Sequence, residues 1–177
     1  MPYLIWALLT FPSLIMAIAG RLLAPILPLF CNANGWLPDW LSWFQTPDNS
    51  CDGDAGHRAR WPKDGFFWTY CRRVAWLLRN VAYGFDIDVL GKWVEPKDQI
   101  TVIGNPDIGD LSGISGTCYR ELIHEGKFIA FQWFYVRHYS IFSFHKCIRI
   151  GLGWKLWNGV KPERYSAQYW FYFNPVK

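Results

Sequence analysis

At 177 residues the chain has room for one domain of ordinary size with a real core, and it needs no disulfide framework to fold. Aromatic residues make up 19% of it, 12 of them Trp, which is more ring surface than a soluble domain buries and points some rings toward a membrane or a partner. The net charge of +4 is mild and uneven. Residues 55–80 carry six basic side chains against Asp64, and residues 120–177 carry nine against three acidic, a balance that suits anionic headgroups, nucleic acid or a solvated basic face.

The first element is apolar. Between residues 2 and 38 Arg21 is the sole charged side chain, and residues 3–23 are long enough for one spanning helix if Arg21 snorkels. Pro12 kinks such a helix without forbidding it, and Pro25 and Pro28 end the pattern. The tract WLPDWLSWF (36–44) reads as an interfacial segment with three Trp at headgroup depth. Residues 1–44 are therefore expected to be a membrane anchor and residues 45–177 a single domain. Two other readings compete for the apolar segment. It can be a signal peptide, since Ala17-Ile-Ala19 resembles a cleavage site although no Lys or Arg precedes the apolar run, or an apolar arm packed in a larger assembly.

Residues 45–54 form a turn-rich loop by composition. Val74, Leu77, Leu78 and Val81 then recur at helical spacing, predicting an amphipathic helix over 69–82 that Tyr83-Gly84 would end. Residues 96–117, rich in Gly, Pro, Asp and Ser, read as a long loop with a short strand near 100–103. Four aromatic and β-branched runs follow, 128–136, 141–150, 153–157 and 167–173, as expected of an antiparallel sheet. In the second run Phe142, Phe144, Ile148 and Ile150 share one face, with Lys146 the exception, and Ser143, His145, Cys147 and Arg149 share the other with Ile141. The expected class is α+β: hydrophobic N-terminal helix, amphipathic helix, C-terminal aromatic-rich antiparallel sheet.

Candidate sites are few. Asp48, Ser50, Asp52, Gly53 and Asp54 resemble the first half of a calcium loop, but the closing Glu is replaced by Ala59. The competing reading is a turn whose carboxylates cap nearby N–H groups. His145 and Cys147, two apart on a strand, face one side and are a weak metal pair that His124, His138 or Cys118 would have to complete. Five cysteines without a CxxC pair argue against a zinc ribbon and suit reduced thiols in a cytosol-facing domain. No Gly-x-Ser-x-Gly elbow or phosphate loop is present, and the glycines of residues 104–110 lack the spacing, so binding is favoured over catalysis and no cofactor is expected. Phe131, Trp133, Tyr135 and Arg137 alternate as on a single-strand nucleic-acid platform, though a core with interfacial rings accounts for them better.

The blocks LPDWLSWFQTPDNSCDGD (37–54), RNVAYGF (79–85), GLGWKL (151–156) and FNP (173–175) resemble an uncharacterised family of tailed-bacteriophage proteins with hydrophobic N-termini. Cys51 departs from that family's pattern, where an aliphatic residue is expected. The resemblance implies a phage origin and no particular activity. The function expected is a membrane-associated phage protein that binds lipid and a protein partner, of the host envelope or of the phage, with residues 45–177 on the cytoplasmic side of the inner membrane. The alternatives are a virion or ejection component, and a membrane-held nucleic-acid-binding or hydrolytic module.

Overall fold

Residues Pro2–Leu23 form helix α1, with no acidic residue in its first turn, Pro12 inside and Arg21 in its last turn. The computed structural model describes residues 1–108, 113–141, 144–156 and 164–175. Two short 3-10 turns follow α1, Leu27–Phe30 and Asp39–Phe44. Helix α2 (Ala55–Arg60) is started by Asp54, whose carboxylate accepts from the His57 N–H at 2.6 Å. Helix α3 (Phe66–Arg79) is the amphipathic helix that the apolar spacing predicts, three residues earlier at each end. It ends at Asn80, where the backbone leaves the helical region (φ −121°, ψ 52°) while the residue's N–H and side-chain amide both reach the Trp76 carbonyl. Ala82, at φ 49°, then redirects the chain, so Tyr83-Gly84 opens helix α4 (Tyr83–Asp88) instead of merely ending α3.

The strands are β1 (Lys92–Trp93), β2 (Gln99–Gly104), β3 (Gly116–His124), β4 (Lys127–Ile141), β5 (Phe144–Trp154), β6 (Arg164–Tyr165) and β7 (Ala167–Pro175). Five build an antiparallel sheet in the order β2-β3-β4-β5-β7, while β1 pairs with β6. Helices and antiparallel sheet together make this an α+β protein, the class the patterning predicts. The short strand near 100–103 is present as β2. The runs at 141–150 and 153–157 do not form two strands, since β5 continues through Gly151–Gly153 to Trp154. Gly153 allows that continuity: it holds φ +97°, and a Cβ there would lie 2.1 Å from the Phe131 carbonyl oxygen. Glu125 and Gly126, both at positive φ, close the tight β3–β4 hairpin. Three residues past that turn, Ile129 is the extra residue of a bulge against Leu122 and Ile123.

The chain forms two compact units. One comprises Leu9–Leu90, the other Met1–Leu8 with Gly91–Lys177. The units part at 8/9 and 90/91, and the loop after residue 44 packs with what precedes it. Cys51 N–H bonds the Gly35 carbonyl at 2.8 Å, and Gln45 Oε1 accepts from the Leu37 N–H at 2.9 Å. The core of the helical unit gathers Ala24, Leu27, Leu37, Leu41, Cys51 and Leu77. In the sheet unit Ile108, Cys118, Phe134 and Val136 form a buried cluster, and Trp154 is fully buried. Residues Tyr3 and Trp6 belong to that unit: Tyr3 Oη lies 2.6 Å from Tyr119 Oη, and Trp6 Nε1 donates to the Gln168 carbonyl.

Candidate membrane interface

Helix α1 is two-faced by side-chain size, not by polarity. In the helical unit Ser13, Ala17 and Gly20 are buried, spaced by four and three residues, and Ala24 continues the row just past the helix. Small side chains there let backbones approach closely. A Cβ on Gly20 would sit 2.8 Å from Val81 Cγ1, and Ser13 Oγ donates to Asp86 Oδ1. The opposite face carries Phe11, Leu14, Ile15, Ile18 and Leu22, all exposed. At about 100° per residue these five fall within an arc of about 100°, roughly opposite the small-residue row. Leu4 and Leu8, earlier on the helix, are exposed as well. The helix is long and apolar enough to cross a membrane, with a mean hydropathy of 1.8 over its best window.

The exposed apolar surface continues beyond the helix. Ile26, Leu29 and Phe30 are exposed, and Phe30 meets the exposed Trp40 edge-on at 5.8 Å. Trp43, half exposed, packs edge-on against Phe85. Further along the unit, Phe66 and Phe67 open α3 as its most exposed rings. One turn later Tyr70 donates to the Pro25 carbonyl at 2.6 Å, which ties α3 to the segment after α1. A groove of about 230 Å³ is lined by Arg60, Trp61, Pro62, Lys63 and Trp68. Lys63 Nζ stands 4.3 Å from the Trp68 ring centre. Large apolar rings with cations set among them are the chemistry of a headgroup-level contact.

The residues singled out as a calcium half-loop have other work. Asp52 receives both Arg73 donors, Nε at 2.9 Å on Oδ1 and Nη2 at 3.1 Å on Oδ2, while Arg72 Nη2 reaches Oδ1 at 3.1 Å. Burial raises the Asp52 carboxyl pKa, but the hydrogen bonds from Arg73 and then Arg72 outweigh it, so the group sits below the usual carboxylate range. Asp54 caps α2, and Arg58 donates to the Gly53 carbonyl. His57 is buried against Trp76, its Nε2 3.0 Å from the Arg72 carbonyl; burial lowers its pKa, with the Arg60 and Arg79 charges adding to that. This polar hub fixes α2 and α3 to the 45–54 loop. Asp48 has no resolved part in it.

Of the second metal pair, the His145 side chain lies outside what is described, and Cys147 is buried. The register sets His138 opposite Cys147, whereas His124 is held at 2.7 Å by Asp98 and Cys118 packs with Phe134. Folding thus sets His138 across from Cys147 but engages His124 and Cys118 elsewhere. Among the described residues no group of three His, Cys, Asp or Glu is placed to hold a metal ion. The proposed ring platform on β4 also divides. Phe131 is buried against Tyr3, Trp6 and Trp154, while Trp133 and Tyr135 stack at 6.1 Å and remain half buried.

Two groupings carried no local signal. Arg120 on β3 is buried, donating to Gln132 Oε1 and the Pro106 carbonyl. Cys31 and Cys51 meet in the helical core. Neither spacing predicts its partner.

Fold and surface define an α+β protein with an apolar helix held by its small-residue face and exposed on its large-residue face. The chain belongs to a family of unknown function, DUF7338, whose model matches residues 1–177. No curated protein and no solved structure matches it.

Proposed function

We propose that the protein is a membrane-associated binding protein whose α1 lies in the plane of the membrane surface, large-residue face down. From the resemblance of its sequence blocks, we further propose that it is phage-encoded and acts at the cytoplasmic face of the host inner membrane through a protein partner. The observation that carries the membrane reading is the exposed arc of Phe11, Leu14, Ile15, Ile18 and Leu22 opposite the buried Ser13, Ala17 and Gly20. It also favours an in-plane helix over the spanning one expected from hydropathy. Ser13 lies near the helix midpoint, and a spanning α1 that kept its contacts would carry Asp86 to the bilayer centre. A carboxylate there costs at least about 2.5 kcal/mol on insertion scales, and far more on others. An in-plane helix leaves Asp86 in polar surroundings and still immerses the large side chains.

The test uses the full chain mixed with vesicles of phosphatidylethanolamine and phosphatidylglycerol. It should float with the vesicles, and cysteines placed at residues 2 and 22 in cells should be labelled from the same side. A monomer that is soluble without detergent and ignores vesicles overturns the membrane reading. Labelling from opposite sides overturns the in-plane one, and co-purification with particles instead of membranes favours the virion alternative.

A further inference from the structure

Two of the five thiols meet inside the helical unit. Cys31 follows the first 3-10 turn, its N–H on the Pro28 carbonyl, and is half buried. Cys51 is fully buried, held by its N–H on the Gly35 carbonyl at 2.8 Å. Cys31 packs against the core cluster that contains Cys51, and the Cys51 S–H lies 3.8 Å from Gln45 Oε1. The turn in which Asn32 N–H bonds the Trp36 carbonyl folds the chain back toward Cys51. Both sulfurs share a core with Leu27, Leu37 and Leu41, beside the Asp52–Arg73 pair.

The pair is chemically unequal. The Cys51 side chain, and secondarily the Arg73 charge, bring the Cys31 thiol below its ordinary range against the effect of burial. The Cys31 side chain and burial push the Cys51 thiol up. An accessible thiol disposed to ionise next to a buried one is the arrangement of an attacking and a resolving cysteine.

We propose that Cys31 and Cys51 form a reversible disulfide that closes the loop of residues 32–50, which carries Trp40 and Trp43. The oxidant is a low-molecular-weight disulfide such as glutathione disulfide. The Cys31 thiolate attacks one of its sulfurs, a bond forms to Cys31, and the other half leaves as a thiolate. Cys51 then passes its proton to a released thiolate, and its sulfur attacks Cys31, displacing the second half. Two protein thiols are oxidised, one external disulfide is reduced, and both protons end on the released thiols. The proposal stands whether or not the loop touches a membrane.

Full-length protein is equilibrated across glutathione ratios, quenched with N-ethylmaleimide and cleaved on the N-terminal side of Asp, which separates the two cysteines at Asp39 and Asp48. We expect two fewer alkylated thiols, a dithiothreitol-sensitive link between fragments 1–38 and 48–51, and a higher melting temperature for the oxidised form. Cys51→Ala should stop at a glutathione adduct on Cys31, and Cys31→Ser should leave Cys51 unmodified. If Cys51→Ala does not fold, the wild-type mapping and Cys31→Ser decide. Five alkylated thiols at every ratio, a link through another cysteine, or a lasting Cys31 adduct in the wild type overturns the proposal.

Discussion

Replacing Phe11 and Leu22 together by Ala tests the interface where it is most exposed. Phe11 is 68% and Leu22 73% exposed. A Phe side chain presents about 200 Å² in all, so Phe11 offers about 135 Å² to the bilayer, or about 3 kcal/mol at about 25 cal/mol per Å². Ala keeps part of that area, leaving a net loss of about 2 kcal/mol per site at full immersion and about 1 kcal/mol at half immersion. The pair should therefore weaken vesicle partitioning by about 2–4 kcal/mol, a factor of ~30 to ~700. Folding stability should change by less than about 0.5 kcal/mol per site, as for surface positions elsewhere. The assay is vesicle flotation over a lipid titration, with denaturant unfolding as the control. Ala17→Leu, on the buried face, should do the reverse and lower stability by crowding that packed contact. Partitioning within threefold of wild type, with stability unchanged, would refute the reasoning that this arc meets lipid.

Asp52→Ala should lower the melting temperature equally in calcium and in chelator, because the carboxylate serves Arg72 and Arg73; a calcium-induced rise in the wild type that this variant abolishes would make the loop a metal site. His57 titrates below its unfolded value near 6.5, so its contribution is full above ~6.5 and is lost as pH falls toward its folded value. Asp52, also depressed, contributes above its unfolded pKa of ~3.9 and loses that contribution as pH falls further. Denaturant midpoints should decline in two stages on acidification, and His57→Gln should flatten the upper one; an unchanged profile in that variant would show that His57 is not responsible. Gly84→Ala places a methyl 2.4 Å from the Ser42 carbonyl oxygen, so α4 must part from the second 3-10 turn, at a cost of about 1–3 kcal/mol. Urea unfolding measures it, and a loss under about 0.5 kcal/mol would mean that the close approach yields freely.

Local chemistry made several elements legible. Helix α1 follows from a run without charged side chains before Arg21, α3 from apolar spacing, and β4, β5 and β7 from aromatic and β-branched runs, because each of these signals lies within a few residues of what it forms. The glycine of RNVAYGF was visible as a punctuation mark, but its reason was not: Gly84 is where α4 meets the backbone of residues 42–45. Only the first two residues of strand β3 fall in the loop expected over 96–117, and residues 118–124 carry no strand signal because GTCYRELIH mixes polar with apolar residues. Its Arg120 is acceptable in a buried strand only because Gln132 and the Pro106 carbonyl receive its donors. Likewise the acidic loop looked like half a cation site while its counter-charges, Arg72 and Arg73, lay some twenty residues away. What the sequence determined by itself is that the N-terminal helix is apolar. Only the tertiary structure decided that its small side chains pack against Val81, Ala82 and Asp86 while its large ones stay outside, since close backbone approach needs small residues and a partner surface shaped to receive them.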